Sequence, residues 1–402
     1  MRRRHPAFCV FVTGWRPCCP MRKISLPLTL GALFIVTVAC GQPTAQAASM
    51  TETQSPFAVS TQTSTPTPPP STPTDLSTST ATEPSVPLPA TFDSGTLRAG
   101  IQPLPYIADQ CEYLARRWDP TGALPGTIVA PIMFHSILKG NQAPTLSQDI
   151  NKKMFDEIMD LAKELGYETI TSQELLDFLL NNAKIPERSM ILILDDRRPG
   201  TAEDYFLPYL EENDWTLTLA WIAVSDTDQR EGRLEGESLW DWMERLNDTG
   251  YFDIQSHGRD HIYLNADTPR QVVRKEIEGS ISALKQHFGQ TPIAYIWPGG
   301  NYTPLGVQIA RQAGFELGFT IHARGPLLFN WIPQGEQERT YDDPLMLLPR
   351  YWDTAALLNL EQAAQIGDAA QAFAKENYTA EAVWYRQNCG SALPELDEVF
   401  KN

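Results

Sequence analysis

Met190-Ile191-Leu192-Ile193-Leu194-Asp195-Asp196 is a run of apolar residues that ends in two carboxylates. A short, unbroken apolar run predicts a strand buried on both faces, as in a parallel sheet covered by helices. Comparable runs lie at residues 128–134 and 215–224, and helix-like stretches separate them. This alternation predicts an α/β domain whose parallel sheet is closed, or nearly closed, into a barrel.

The other elements are predicted from their end signals. Thr171-Ser172-Gln173-Glu174 is a capping box, Thr268-Pro269 predicts the start of a long helix, and Thr303-Pro304 predicts a helix that ends at Gly314. Further helices are predicted at residues 150–164 and 238–247, and further strands at 167–170, 253–256, 294–297, 315–320 and 345–349. In such barrels the chemistry lies at the carboxyl ends of the strands.

Ionisable groups stand at several of these strand ends. His135, Asp195, Asp196 and His257 each follow or end a predicted strand, and His261 lies four residues after His257. Two histidines and a carboxylate are a donor set found in three-ligand zinc sites that keep one position open. A competing interpretation is that the two histidines share one face of a helix, as residues four apart do.

These stretches resemble the polysaccharide deacetylase family, also called the NodB-homology or carbohydrate esterase 4 group, over about residues 127–353. The resemblance rests on Pro131-Ile132-Met133-Phe134-His135-Ser136-Ile137, Ile193-Leu194-Asp195-Asp196, His257-Gly258-Arg259-Asp260-His261 and Ile296-Trp297-Pro298-Gly299-Gly300. The histidine in the first strand is similar to the pattern of the poly-N-acetylglucosamine deacetylase branch. The resemblance implies a distorted (β/α) barrel of the NodB-homology type, with about seven parallel strands and here a C-terminal helical extension.

The resemblance also implies a role for each site residue. Asp196, His257 and His261 would hold a divalent metal, with Zn²⁺ as the expected ion. Asp195 would be the general base, and His135 the acid that protonates the leaving amine. Trp297, Pro298 and Gly299 are expected substrate-binding residues, with packing of Trp297 in the core as the alternative. His322 is expected to bind substrate because it stands at another predicted strand end; it is also a second candidate for the acid, ranked below His135 because the family usually has no His there. The implied reaction is removal of N-acetyl groups from an envelope or extracellular polysaccharide.

The sequence departs from the family pattern around these residues. Ile193 and Leu194 replace Thr and Phe, Arg197 replaces Gly after the aspartate pair, and Gly258 replaces Ser or Thr inside the histidine motif. Ile296 stands where the family has the Arg that steadies the base carboxylate. Because such supporting residues often contribute about 10–100-fold to activity, weak activity or an altered substrate is a consequence to consider.

Arg350 is the predicted substitute for that missing Arg. It follows the last predicted strand and so lies on the same barrel face as Asp195. We expect its guanidinium to pair with the Asp195 carboxylate, since an ionised base needs a fixed cation or donor beside it. The alternatives are that Arg350 is a surface residue of a loop, or that Arg197 takes this part.

Two other functional classes are compatible with parts of the pattern. One is a catalytically weak or inactive NodB-like lipoprotein that binds glycans without turnover. The other is a non-haem iron oxygenase, which also uses two histidines and one carboxylate. The presence of all five residues that a deacetylase needs favours the enzyme, and the helix–strand alternation counts against the oxygenase.

The N-terminal region predicts a membrane anchor and a tether. Residues 1–40 read as a leader whose basic start and apolar run end at Thr37-Val38-Ala39-Cys40-Gly41, which resembles a bacterial lipoprotein signal with Cys40 as the lipidated residue. Ordinary cleavage after residues 45–47 and an uncleaved anchor are the alternatives. Residues 41–91 are rich in Thr, Ser and Pro and predict a disordered tether, followed by an approach segment at 92–126 and a helical extension at 354–402.

Charge and cysteine content agree with an extracytoplasmic location. The formal net charge of −17 excludes attraction to nucleic acid or to anionic lipid as a basis for function. Three of the six cysteines would remain after removal of the leader: Cys40, which is expected to carry the lipid, and Cys111 and Cys389. In an oxidising compartment Cys111 and Cys389 are expected to form a disulfide, with two unpaired buried thiols as the alternative. The expected partners are thus an N-acetylated polysaccharide and, through Cys40, a membrane.

Overall fold

A computed structural model describes residues 87–146, 149–223 and 231–401. The predicted leader, Cys40 and almost all of the predicted tether lie outside these residues. Lipidation of Cys40 and disorder of the tether therefore stay predictions. Among the described residues, no helix combines the length and apolar character that a membrane-spanning helix needs.

Strands and helices alternate through the described part of the chain. The strands are β1 Gln102–Leu104, β2 Ile128–Phe134, β3 Ile137–Leu138, β4 Ile150–Asn151, β5 Glu168–Thr169, β6 Arg188–Asp195, β7 Leu217–Trp221, β8 Phe252–Ser256, β9 Ala294–Ile296, β10 Leu317–Phe319, β11 Ile332–Gln334 and β12 Tyr351–Trp352. The helices are α1 Gln110–Arg117, α2 Lys152–Glu164, α3 Ser172–Asn181, α4 Pro199–Thr201, α5 Leu207–Asn213, α6 Leu239–Asn247, α7 Arg270–Phe288, α8 Pro304–Ala313, α9 Ala356–Cys389 and α10 Leu396–Val399. A π-helical turn, Ala202–Phe206, joins α4 to α5.

Seven parallel strands form the main sheet, in the order β10-β9-β8-β7-β6-β2-β12, and β5 also pairs with β6. The sheet curls into an incomplete barrel with helices on its outside, as predicted. A segment near the end of the domain brings its two edges together. Leu348 bridges to Phe319 of β10, while Tyr351 and Trp352 pair with β2 at the opposite edge. Arg350 lies between these two pairings.

Alternation of side chains along the strands decides which groups enter the barrel. Ile128, Ala130, Ile132 and Phe134 pack with the outer helices, whereas Val129 belongs to a second apolar cluster that also contains Ile191, Ile193, Phe319 and Leu348. Successive side chains of a strand point to opposite faces. His135 therefore shares a face with Val129, and Asp195 shares a face with Ile191 and Ile193, inside the barrel.

Most predicted elements are present, with two corrections. The predicted start of a helix at Thr268-Pro269 is wrong by a residue, because α7 begins at Arg270 with Pro269 as its N-cap and without a side-chain cap. The predicted strand at residues 345–349 is also wrong. Pro344–Met346 forms a 3₁₀ turn with proline in its first position, and the last strand is β12. The capping box at Thr171 is confirmed, as is the helix from Pro304 to Ala313 capped by Thr303 and Gly314.

The first half of α9 packs on the outside of β2, and its second half continues past Gly126, at the amino end of β2, to pack against α1. The predicted disulfide is confirmed: Cys111 at the start of α1 bonds Cys389 at the end of α9, with 5.7 Å between their Cα atoms. Between these helices Arg117 forms an ion pair with Glu381 at 3.0 Å, and the indole of Trp118 donates to the same carboxylate. The C-terminal extension is helical, as predicted, and consists of the 34-residue α9 followed by the short α10.

Candidate active site

The predicted site residues follow the carboxyl ends of neighbouring strands. His135 comes directly after β2, Asp195 is the last residue of β6, and His257 comes directly after β8. Because β2, β6, β7 and β8 are adjacent and parallel, the carboxyl ends of these strands lie together at one end of the barrel. The strand reading of the sequence therefore placed these groups correctly relative to one another.

The segment from His257 to His261 is a loop, so the helical interpretation of this histidine pair is wrong. Gly258 has a φ of 79°, and a Cβ at this position would lie 2.1 Å from Oε1 of Glu276. The Glu276 carboxylate, fully buried on α7, accepts hydrogen bonds from the backbone N–H groups of Asp260 at 2.8 Å and Ile262 at 3.0 Å. Glycine at 258 thus leaves room for the carboxylate that holds the loop, which gives a physical reason for this departure from the family pattern.

Asp196, His257 and His261 bring three ligand atoms together within 4.8 Å of one another. The Nε2 atoms of His257 and His261 are 3.1 Å apart, and Oδ1 of Asp196 lies 3.8 Å from the first and 3.7 Å from the second. Two nitrogen ligands of a tetrahedral zinc ion are about 3.3 Å apart. The three residues therefore fit a divalent metal, both in spacing and in the chemistry of the donors.

Two of these three residues adopt a strained backbone conformation. Asp196 has a φ of 71° and His261 a φ of 58°, in the left-handed region that residues with a side chain seldom enter. Such conformations cost about 1–3 kcal/mol each and occur mainly at functional sites. The strain aims both side chains at the position they share with His257.

His257 is held in the tautomer that a metal ligand needs. Its Nδ1 lies 2.8 Å from the carbonyl oxygen of Ile296, which accepts the proton of that nitrogen and leaves the lone pair on Nε2. Burial of the ring lowers the pKa of His257, although the neighbouring Asp195 opposes this shift. The imidazole is therefore neutral, which is the form that binds metal.

Asp195 is paired with Arg350, as the sequence predicted. Nη1 of Arg350 lies 2.6 Å from Oδ1 of Asp195, and Nε donates to the carbonyl oxygen of Thr320 at 2.8 Å. Both side chains are almost completely buried. Burial raises the pKa of the Asp195 carboxyl, but Arg350, His257 and His135 together outweigh burial and bring this pKa to about 2. Asp195 is thus ionised throughout the neutral range.

His135 lies beside the free oxygen of Asp195. Its Nε2 is 3.7 Å from Oδ2 of Asp195, while Oδ1 is occupied by Arg350. Its ring stacks on the indole of Trp352, with centroids 5.7 Å apart and planes 12° from parallel. Burial lowers the pKa of His135, opposed by the charge of Asp195.

Other predicted site residues have different surroundings. Trp297 does not line a pocket: its side chain is fully buried, and the indole N–H donates to the carbonyl oxygen of Met346 at 2.9 Å. Pro298 is buried as well, while Gly299 is half-buried in a 3₁₀ turn. His322 has its Nε2 4.0 Å from Glu338, so its imidazole faces that carboxylate. Arg197 lies over the rings of Trp221 and Trp240, at 5.0 and 5.4 Å, and not on Asp195.

Several residues of the site were not predicted. Arg198 donates to Oδ2 of Asp196 at 2.9 Å and to the hydroxyl of Ser136 at 2.7 Å, so it holds the ligand carboxylate by the oxygen that does not face the histidines. Tyr263 contacts the His261 ring edge to face at 5.3 Å between centroids. Trp352 stacks on His135. For Arg198 and Trp352, closeness in sequence to Asp196 and Arg350 was a usable signal.

Comparison with known proteins agrees with this geometry. Residues 182–318 match the family model described as polysaccharide deacetylase. This part of the chain is therefore similar to polysaccharide deacetylases. The matched residues include the aspartate pair and both histidines of the triad, whereas His135 and Arg350 lie outside the match.

Several known proteins are similar to part of this chain. Bacillus subtilis YxkH, which is named a putative polysaccharide deacetylase, is 28% identical over 189 residues, which is 47% of this chain and 63% of that protein. The chain thus spans less than two thirds of this relative's length. Similar solved structures include the Streptococcus pyogenes deacetylase PplD, with a TM-score of 0.48 and 21% identity over 60% of this chain and 98% of that one. The IcaB structure from Ammonifex degensii has a TM-score of 0.45 and 20% identity over 60% of this chain and 99% of that one.

Proposed function

We propose that this chain is a metal-dependent deacetylase that removes N-acetyl groups from an envelope or extracellular polysaccharide. The observation that carries the proposal is the convergence of three ligand atoms beside an ionised, arginine-held carboxylate. A metal triad and a base in contact are what hydrolysis of an amide requires. The family match supports the acetyl group as the part removed.

The donor set favours zinc as the metal. Two neutral imidazoles and one carboxylate are the ligands of hydrolytic zinc sites that keep a position open. Asp196, His257 and His261 would hold a divalent ion, which would lower the pKa of a bound water and polarise the acetamido carbonyl. Arg198 neutralises part of the charge on Asp196 and leaves Oδ1 facing the two histidines.

Asp195 acts as the general base through one of its two oxygens. Arg350 occupies Oδ1, so Oδ2 is the oxygen that accepts the proton of the attacking water. Oδ2 lies 3.9 Å from Nε2 of His257 and 3.7 Å from Nε2 of His135, at the edge of the triad. The fixed guanidinium keeps the carboxylate charged until that proton arrives.

His135 completes the reaction at the leaving nitrogen. Its Nε2, 3.7 Å from Oδ2 of Asp195, would take up the proton that Asp195 has removed from water and pass it to the sugar nitrogen as the bond between that nitrogen and the acetyl carbon breaks. The products are acetate and a free amine on the sugar. Stacking on Trp352 fixes the plane of the imidazole during this transfer.

Acetate release by the purified chain tests the proposal. We expect stoichiometric divalent metal, and acetate release from at least one of peptidoglycan, poly-N-acetylglucosamine or chitin oligomers. Release from acetylated xylan alone, whose acetyl groups are esters, would contradict the N-acetyl specificity. His257→Ala, His261→Ala and Asp196→Asn should each lose metal and activity together, with Leu180→Ala, at the far end of α3, as the control. Glycan binding without acetate release from the metal-loaded chain would favour the glycan-binding alternative, and unchanged metal content in both histidine variants would end the metal hypothesis.

We further propose that Cys40 carries a lipid that attaches the chain to the extracytoplasmic face of a membrane. The proposal is supported by the apolar run behind Arg22-Lys23 and the Ala39-Cys40-Gly41 motif. Cys40→Ala should release the protein from membranes or block its processing. Normal membrane attachment and normal mature size of that variant would contradict the anchor.

A further inference from the structure

Tyr263 is an exposed aromatic side chain fixed next to a metal ligand. Its neighbours Ile262 and Leu264 pack into an apolar cluster of the core, whereas Tyr263 itself is 55% exposed. The backbone N–H of Ile262 donates to Glu276, the carboxylate that also holds the histidine loop. The backbone under Tyr263 is therefore anchored on both sides, and the ring is presented to solvent from a fixed base.

One face of the Tyr263 ring is backed by Gly299. A Cβ at position 299 would lie 3.0 Å from Cζ and 3.1 Å from both Cε atoms of the ring, so the ring end lies over the bare glycine backbone. Gly299 has a φ of 60°, which a residue with a side chain seldom adopts. The planes of the Tyr263 and His261 rings meet at 74°, with 5.3 Å between their centroids. Because the side chain is 55% exposed although Gly299 backs one face, the other face is open to solvent, next to the metal-ligand cluster.

We propose that the open face of Tyr263 stacks against a pyranose ring of the polysaccharide and so positions the glycan beside the site; this inference rests on the proposed deacetylase function. An aromatic ring offers a flat apolar face and, in tyrosine, a hydroxyl at its rim. A pyranose ring is amphipathic in the same way, with an apolar C–H face and hydroxyls at the edge. Tyr263 thus takes the part that the sequence assigned to Trp297, which the core buries.

A structural role for Tyr263 makes a different prediction. If the ring only supports His261, its removal lowers metal affinity, whatever the ligand. If the ring binds sugar, its removal weakens glycan binding while the metal stays. Tyr263→Phe separates the two contributions of the side chain, because it keeps the stacking face and removes only the hydroxyl.

The test uses the metal-loaded full chain and a pentamer of N-acetylglucosamine. Tyr263→Ala should raise KM for the pentamer about tenfold, the effect of losing roughly 1.4 kcal/mol of contact, with the loss on KM rather than on kcat. Tyr263→Phe and the control Leu180→Ala should stay within about twofold of the wild type. Metal content, measured on every variant, should be equal.

Two results would overturn the inference. An unchanged KM in Tyr263→Ala would mean that no sugar stacks there, and a parallel fall in metal content would assign Tyr263 to the support of His261. If the wild-type chain releases no acetate from the pentamer, the deacetylase proposal fails for that substrate. Calorimetric binding of the pentamer then decides for Tyr263: a tenfold weaker Kd in Tyr263→Ala supports the stacking subsite, and equal or absent binding refutes it.

Discussion

Two buried carboxylates, at opposite ends of the barrel, each have an arginine partner, and their pKa values move in opposite directions. At the site, Asp195 pairs with Arg350 at 2.6 Å, and its pKa falls to about 2. Between α1 and α9, Glu381 pairs with Arg117 at 3.0 Å, and burial raises its pKa despite that arginine. One arginine alone thus does not keep a buried carboxylate strongly acidic.

The difference lies in what else surrounds each carboxylate. Asp195 has two histidines near Oδ2 in addition to Arg350, whereas Glu381 has only Arg117 and the indole of Trp118 as the groups that lower its pKa. Oδ2 of Asp195 accepts no hydrogen bond from Arg350, whereas Oε1 of Glu381 accepts one from Arg117 and Oε2 accepts one from the indole of Trp118. A charged carboxylate with a free oxygen is suited to accept a proton, and a fully engaged one is suited to join two helices.

Removing the charge of each carboxylate in turn should give the largest difference in turnover between the two sites. Asp195→Asn should lower kcat by about 10²–10⁴-fold, because a general base contributes that much, while the metal stays bound. Glu381→Gln should leave turnover unchanged. Acetate release and metal content of both variants measure this, and a near-full rate in Asp195→Asn would show that the base is misassigned.

Removing each arginine tests whether the ion pair with Arg350 is what makes Asp195 an effective base. Arg350→Met should lower the rate about 10–100-fold, because Arg350 supports the base without touching substrate. Arg117→Met should leave the rate alone. Each loss breaks a buried ion pair and should cost about 3–5 kcal/mol of stability, less for Arg117, whose side chain keeps some exposure. Arg350→Lys retains the charge and is the variant to use if Arg350→Met does not fold.

The pH profile gives this test a second readout. The pKa of Asp195 is depressed in the folded chain, so the ionised base is lost only as pH falls through about 2. Without Arg350 that pKa must rise, and the acid limb of kcat/KM should move to higher pH. An acid limb that stays in place in Arg350→Lys and Arg350→Met would separate Arg350 from the ionisation of Asp195.

The disulfide between α1 and α9 is expected to affect stability and not turnover, because it lies away from the candidate site. Cys111→Ser or Cys389→Ser should cost about 2–5 kcal/mol of unfolding free energy, because the bond closes a very long loop. Turnover per folded molecule should equal that of the wild type at a temperature where the variant and the wild type are both folded. Thermal unfolding with and without reductant measures the first expectation, and a fall in kcat of the folded variant would contradict the second.

The smallest expected effect compares two glycines with similar backbone conformation. Gly289 has a φ of 68° with nothing near its missing Cβ, so Gly289→Ala should cost about 1 kcal/mol. Gly258→Ala must also displace the Glu276 carboxylate, which lies 2.1 Å from the Cβ position. It should cost about 2–4 kcal/mol and weaken metal binding, because the histidine loop loses its support. Equal costs and equal metal affinity in the two variants would argue against Glu276 as the holder of this loop.

The sequence was sufficient for the parts of the molecule that depend on local pattern. The predicted strand ends placed Asp195, His135 and His257 at one end of the barrel. Arg350 was expected beside Asp195 because it follows the last predicted strand at that same end. The sequence was not sufficient where burial comes from distant contacts. Trp297 follows a strand as His257 does, yet the core contacts of its indole decide its role.

Glu276 shows a second limit of sequence reasoning. It lies in the middle of α7, where a glutamate reads as a solvated surface residue of a helix. Its burial and its hydrogen bonds to the histidine loop arise from the packing of α7 beside β8. Tyr263 was missed for the opposite reason, because an exposed aromatic residue in a loop has no local pattern that indicates a ligand.

The position of Arg350 at the closure of the barrel has a consequence for how the chain matures. Asp195 and Arg350 are 155 residues apart, and Arg350 lies on the segment that joins the two edges of the sheet. During synthesis the chain emerges from its N-terminus, so the strands that carry Asp195 and His257 are complete well before their arginine is available. Until then, the carboxylate has no cation fixed beside it, and burying it is costly. The arrival of residues 348–352 therefore closes the barrel and supplies the cation that lets Asp195 stay ionised once it is buried, so the charged pair forms only when folding is complete.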